Sequence, residues 1–372
     1  MSNIWHLGVK ELRTLLRDPV MLVLVAWCFS GAVYAAATAQ PESLNKAPIG
    51  ILDEDRSELS TRIVGAFLPP YFVPPVLITP AQMDARLDRG LDTFGLYIPV
   101  GFQRDVLAGR SPTVQVNIDA TRMMQAFSGN SNIQQILVSE VDAFLKGRRA
   151  AAPPLPVDLD LRVRFNPNLT QSWFGGVVDF IFQVSMIAMV LTGASLIRER
   201  EHGTIEHLLV MPVTPFQIMT SKVWSMGLVV LAASAVSLQL MIRGVLGVPV
   251  AGSVALFLIG TALHLFATTS LGIFLATIGR TMPQFALLLI LVLFPMQMLS
   301  GGITPYESMP QVLQKLMLVA PTTHFVWLSQ AIIFRGAGLA VVWKPYAALA
   351  LIGAVLFAVS LVRFRKTIAA MT

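Results

Sequence analysis

Charge is scarce in this chain. Only 13% of its 372 residues are Asp, Glu, Lys or Arg, and 55% are apolar, whereas a soluble domain carries about 25% charged residues. That shortage argues against a water-soluble protein and for a membrane. Cysteine is nearly absent: Cys28 stands alone, so no intrachain disulfide forms and any exported part folds without one. There is no G-x-x-x-x-G-K-[ST] phosphate loop. The pairs Gly175-Gly176 and Gly301-Gly302 lie at the edges of apolar runs with no Lys-Ser/Thr behind them, and no G-x-S-x-G elbow occurs. The net charge of +6 does not signal nucleic acid, because the basic residues flank apolar runs instead of forming a patch.

What the sequence has in quantity is long apolar runs. About 20 such residues cross a bilayer core as a helix, and six runs qualify: 20–39, 174–197, 225–242, 253–278, 284–301 and 346–362. The first could be a cleaved signal peptide, with a small-residue site at Ala35-Ala36-Ala37-Thr38-Ala39. It is longer than the usual h-region of roughly 7–15 residues, and more spans follow, so an uncleaved anchor is the favoured reading. Lys10, Arg13 and Arg17 precede span one, and Arg198, Arg200 and Lys222 lie between spans two and three. Arg280 follows span four, and Arg363, Arg365 and Lys366 follow span six. With six spans these segments share one side, which the positive-inside rule makes cytoplasmic, with both termini inside. Arg243 on the opposite side, and Lys315, Arg335 and Lys344 in 302–345, weaken the bias without reversing it.

Three regions follow: 1–39, 40–173 and 174–372. Residues 4–16 have the spacing of an amphipathic helix lying in the cytoplasmic interface, or of a basic flank continuous with span one. Residues 40–173 then lie outside and read as an extracytoplasmic α/β domain. Strand-like runs at 48–52, 75–78, 94–98, 114–118 and 159–165 alternate with helix-like runs at 57–67, 81–89, 102–108 and 121–145. Prolines 153, 154 and 156 mark an extended connector. The region 174–372 holds spans two to six. Within it, 302–345 contains two apolar pieces, 312–319 and 324–334, too short to span; they suit outer re-entrant helices or a plain external loop. The fold class is thus an α-helical polytopic membrane protein of six spans with an inserted α/β domain.

Polar residues within the spans are few. Asp179 and Gln183 stand one turn apart near the outer end of span two, as do Gln239 and Arg243 in span three. His264 is mid-span in four, and Gln297 is deep in five. Buried ionisable groups face a partner helix or a wet cavity, so these six are transport-pathway candidates. Structural pairing, for instance Asp179 with Arg243, is favoured over substrate contact.

The densest polar segment beside the spans is Arg198-Glu199-Arg200-Glu201-His202-Gly203-Thr204-Ile205-Glu206-His207. It suits a helix that docks on a soluble partner, or a solvated loop. Its histidines are five residues apart, roughly 140° around a helix, which excludes the H-E-x-x-H zinc arrangement and leaves no metal site.

On this segment, continuing through Leu208-Leu209-Val210-Met211-Pro212, the chain resembles the ABC-2-type transporter permeases. The subgroup it looks like has a large extracytoplasmic domain between spans one and two. The likeness covers essentially the whole chain, with further strong stretches at Phe165-Asn166-Pro167-Asn168, 117–122, 99–109 and 299–310. It implies that 198–222 carries a coupling helix, with Glu199, Arg200, Glu201, Gly203, Thr204 and Glu206 contacting a separate ATP-binding subunit. It also implies that the helix before span one is an interfacial connector and that 302–345 holds outer re-entrant helices. Further implications are a second permease copy or homologue, a periplasmic adaptor protein, and the bacterial inner membrane. ATP is then hydrolysed by the partner, with no cofactor on this chain, and a hydrophobic or amphipathic substrate moves outward. Two other classes compete with this reading. A membrane-anchored receptor or scaffold, its outer domain binding a ligand or adaptor, needs only one or two spans. An intramembrane enzyme needs a catalytic pair at depth, and none is visible.

Overall fold

The structure, a computed structural model, describes residues 2–39, 46–119, 123–148, 170–201 and 213–369. The chain forms two compact units: Met1–Gln40 with Val163–Thr372, and Pro41–Arg162.

The first unit begins with α1 (Ser2–Leu16), which packs along the helix that starts at Pro215. Trp5 stacks on Trp224, ring centres 5.2 Å apart. Gly8 lies beneath the same indole, where a Cβ would come within 2.0 Å of the ring. The buried face of α1 carries Glu11 as well as Leu15, so it is not the purely apolar stripe that the spacing suggests. Asp18 caps α2 (Pro19–Cys28) by accepting from the Met21 N–H at 3.1 Å, with Pro19 at the first helical position. After a break at Phe29 and Ser30, α3 (Gly31–Ala39) completes an apolar stretch of 21 residues.

The second unit is a four-stranded sheet with helices. Its elements are β1 (Ile49–Asp53), α4 (Glu58–Ala66), β2 (Val76–Leu77), α5 (Pro80–Asp88), β3 (Phe94–Ile98), α6 (Phe102–Leu107), β4 (Gln115–Ile118) and α7 (Met123–Arg148). The order is β2-β1-β3-β4, with β1 parallel to both neighbours and β4 antiparallel to β3. Ile49 pairs with Phe94 and Ile51 with Leu96, so their side chains share one face of the sheet. There they form a core with Leu59, Ile63, Phe67 and Phe72. The helix starts follow local chemistry. Ser57 and Ser60 close a capping box on α4, and Thr79 with Gln82 closes one on α5, with Pro80 at its first position. The Asp55 carboxylate accepts from the Gln103 N–H at 3.0 Å at the start of α6. Burial would raise its pKa, but the hydroxyl of Ser57 and backbone N–H groups hold it below the usual carboxylate value. The strand-like run at 159–165 and the connector at 150–156 lie outside the described residues.

The first unit resumes with α8 (Gln171–Glu201) and α9 (Pro215–Ser237), the latter continued by a π-helical stretch, Leu238–Val245. Next come α10 (Val254–Ile278), α11 (Met282–Met298), α12 (Gln311–Met317), α13 (Pro321–Ile333) and α14 (Leu339–Ala369). Among the described residues, five stretches are long and apolar enough to cross a membrane: Pro19–Ala39, Ser172–Glu201, Pro215–Val245, Val254–Ile278 and Leu339–Thr367. The expected fifth span is α11, a 17-residue helix about 26 Å long at 1.5 Å per residue, a little under the roughly 30 Å core. The pieces expected at 312–319 and 324–334 are α12 and α13, which meet at 86°; Ala320 is extended there and Pro321 opens the second helix. Helix α8 is the hub, with 83% of its apolar window buried, and it packs on α3, α9, α10, α11 and α13. It approaches α10 closely at Gly272, where a Cβ would lie 2.7 Å from the Met189 carbonyl oxygen.

Candidate functional site

The last turns of α8 concentrate the polar chemistry. Ser195, Arg198 and Glu199 recur at helical spacing and so share a face. Opposite them lie Lys10 and Glu11 from α1 and Lys222 from the second turn of α9. Lys222 is 1% exposed and Glu11 7%, which makes the completeness of their pairing decisive. The Lys222 ammonium donates to Glu11 Oε1 at 3.0 Å and Ser195 Oγ at 2.7 Å, and it forms an ion pair with Glu199 Oε2 at 2.8 Å. Ser195 passes the chain on by donating to Glu11 Oε2 at 2.7 Å, and Lys10 donates to Glu199 Oε1 at 3.0 Å. Two lysines and two glutamates thus form a balanced cluster joining three helices.

The surroundings hold these charges in place. Burial would push the Glu11 carboxyl up, but the Lys222 charge and the Ser195 hydroxyl outweigh it and keep the pKa below the usual glutamate value. Burial would lower the Lys10 pKa, but Glu199 overrides it and raises it. Next to the cluster, Asp18 takes Arg198 on one carboxylate oxygen while the other caps α2. The hydrogen bond from Arg198, with the Met21 N–H, depresses the Asp18 pKa. A cavity of about 230 Å³ opens beside these groups, lined by Lys10, Glu11, Asp18, Ser195, Arg198 and Glu199 among others.

The next two residues tie α8 to other elements. Arg200 Nη1 donates to the Gly279 carbonyl at 2.9 Å and the Ala276 carbonyl at 3.4 Å, at the end of α10. Glu201 Oε1 accepts from the Met282 N–H at 2.9 Å, at the start of α11. Glu199, Arg200 and Glu201, read from sequence as partner contacts, are therefore anchored within the chain. Gly203, Thr204 and Glu206 lie outside the described residues, as do His202 and His207.

The intramembrane candidates do not converge. Gln183 donates to Asp179 at 3.3 Å and Arg243 to Gln239 at 3.1 Å, each within its own helix. No Asp179–Arg243 ion pair forms; each group bonds instead to the glutamine one turn away. His264 is fully buried, 2.8 Å from the Ser185 hydroxyl, with its ring stacked on Phe325 at 4.1 Å. Gln297 is half-buried near the end of α11, beside Ser300, whose hydroxyl bonds its carbonyl.

Sequence reasoning missed Glu11, Ser195 and the burial of Lys222. The available signals were a lone acid on an otherwise basic helix and a lysine in the second turn of an apolar one.

The family model for ABC-2 family transporter proteins matches residues 19–362. The chain is 59% identical to "Inner membrane transport permease YhhJ" of Escherichia coli, over 100% of this chain and 99% of that protein. It is 28% identical to "Probable multidrug ABC transporter permease YbhR" of Escherichia coli, over 98% of this chain and 99% of that protein. It is 26% identical to "Probable multidrug ABC transporter permease YbhS" of the same organism, over 89% and 88%.

Proposed function

The chain belongs to the ABC-2 family of transporter proteins, and from that premise we propose that it is the transmembrane permease subunit of an ATP-driven exporter. ATP is hydrolysed by a separate subunit, and this chain binds no cofactor of its own. The substrate is hydrophobic or amphipathic, in keeping with two relatives named as multidrug permeases and with the mostly apolar spans.

The observation that carries this reading is the end of α8. Three successive residues, Glu199, Arg200 and Glu201, bind α8 to α1 and α9, to the end of α10 and to the start of α11. A push delivered just beyond Glu201 is therefore passed to several spans at once. We assign ATPase coupling to Glu199, Arg200, Glu201, Gly203, Thr204 and Glu206. The first three transmit the push within the chain, and the last three meet the partner. The partner drives transport by binding two states of the permease unequally.

The remaining parts follow the charge bias and the family resemblance. The basic ends, with both termini, are cytoplasmic at the bacterial inner membrane. The α/β unit is periplasmic and receives an adaptor protein, and α12 with α13 is re-entrant from that side. A second permease copy or homologue completes the channel. Asp179, Gln183, Gln239, Arg243, His264 and Gln297 border the pathway.

The test is Glu206→Lys, made with the ATPase subunit co-expressed. The expected result is normal membrane insertion with loss of permease-stimulated ATP turnover. Unchanged stimulation would overturn the assignment.

A further inference from the structure

A second polar basin lies at the ends of α8, α10 and α14. It encloses about 610 Å³ and is lined by Arg200, Arg280, Arg363 and Lys366, with Thr277 and Ile278 among the rest. Four cations meet there, and no acidic side chain lines it among the described residues. Part of this charge answers the negative ends of three helices, and Arg200 Nη1 bonds two carbonyls of α10's last turn.

That role leaves one edge of Arg200 unexplained. Its Nε and Nη2 are buried and have no hydrogen-bond partner among the described residues. Those two N–H groups form the side-on fork of the guanidinium, which matches two oxygens of one carboxylate or phosphate. Leaving both donors unmet is costly, so an acceptor is expected. It must carry more than one negative charge-bearing oxygen to suit four cations. It must also reach a basin at the ends of membrane-spanning helices, where Ile278 is 38% exposed at its rim. Phospholipid headgroups occupy that depth.

We propose that this basin binds a phosphate-class anion, supplied by the headgroup of an anionic phospholipid. Arg200 meets two phosphate oxygens side-on, Arg280, Arg363 and Lys366 surround the charge, and the acyl chains leave past Ile278. Bound there, the lipid ties the end of α14 to the end of α8, beside the segment to which coupling is assigned. The site itself does not depend on that assignment.

The experiment uses the full-length permease in neutral detergent, stripped of lipid. Native mass spectrometry then follows phosphatidylglycerol, phosphatidylcholine and inorganic phosphate added separately. The double variant Arg280→Gln/Lys366→Gln removes two exposed cations that make no side-chain hydrogen bond among the described residues. A basic residue at a membrane surface is worth enough that losing two weakens anionic lipid binding about thirtyfold. Arg200→Lys keeps the charge and removes the fork, and is expected to weaken binding about tenfold. Arg110→Gln, in the α/β unit, is expected to change nothing. Preference for phosphatidylglycerol, lost in the double variant, supports the lipid. Phosphate binding lost in the same variant, without lipid preference, supports the anion site with free phosphate as its source. Equal retention of both lipids without phosphate binding, or phosphatidylglycerol binding untouched by the variants, overturns the proposal and leaves the cations as helix-end caps.

Discussion

Lys222 is where sequence and structure differ most at the scale of a residue. In the sequence it is one of several basic marks that orient the spans. In the fold it is buried, bonded to Glu11 and Ser195 and ion-paired with Glu199, and hydropathy cannot show that, because the partners come from helices far apart in the chain. Lys222→Met leaves the buried Glu11 and the partly buried Glu199 with only the half-exposed Lys10 as a counter-charge. Removing one partner of a buried ion pair costs about 3–5 kcal/mol, so the thermal midpoint of the purified permease should fall sharply. The effect of pH follows from Glu11. Its folded pKa lies below the ordinary value of about 4.3. The stability it contributes is therefore fully present above that ordinary value and is lost as pH falls through the folded one. As pH falls through that lowered value, α1 is expected to loosen from α9, read as a change in the fluorescence of the stacked Trp5–Trp224 pair, and Glu11→Gln is expected to flatten that acid limb. Lys222→Met with unchanged stability would show that the cluster holds nothing together.

Helices were legible as elements, and their lengths were not. The run at 253–278 covers the whole of α10, because that helix carries no Asp, Glu, Lys or Arg from end to end. The run at 225–242 marks only part of a helix that starts at Pro215, since Ser221 and Lys222 interrupt the apolar pattern while staying buried. The same holds for 346–362, where α14 runs on in both directions through Lys344 and Lys366. Hydropathy sees the greasy centre, whereas a helix continues wherever its polar residues find partners or water. How the helices contact one another was not legible either, because it rests on small residues. Two glycines give a paired test with one substitution. Gly227 in α9 has nothing within 4 Å of a built Cβ, whereas at Gly272 in α10 that atom would sit 2.6 Å from Thr192 Oγ1 and 2.7 Å from the Met189 carbonyl oxygen. Gly227→Ala is expected to stabilise by up to about 1 kcal/mol through helix propensity. Gly272→Ala is expected to destabilise by about 1–3 kcal/mol by forcing α8 and α10 apart. Thermal midpoints in detergent read both, and equal shifts of one sign would overturn the packing argument.

At the scale of the whole molecule, the claim open to direct attack is the arrangement across the membrane. In the proposed topology the ends of α8, α10 and α14 are cytoplasmic, and the α/β unit and the bend between α12 and α13 lie on the other side. The chain suits a labelling test, because its one cysteine, Cys28, is buried and Cys28→Ser gives a silent background. Asp84→Cys on α5, Lys315→Cys on α12 and Arg365→Cys on α14 each place a thiol at an exposed position. A maleimide that cannot cross membranes, added to cells with a permeable outer membrane, is expected to label the first two. The third is expected to react only after the inner membrane is opened. Labelling of position 365 from outside would reverse the topology, and with it the side from which an ATP-binding partner could reach the segment after Glu201. Labelling of position 84 without 315 would keep the topology and remove the re-entrant reading of α12 and α13. The coupling proposal survives the second result but not the first, because a push can enter at the end of α8 only if that end faces the nucleotide.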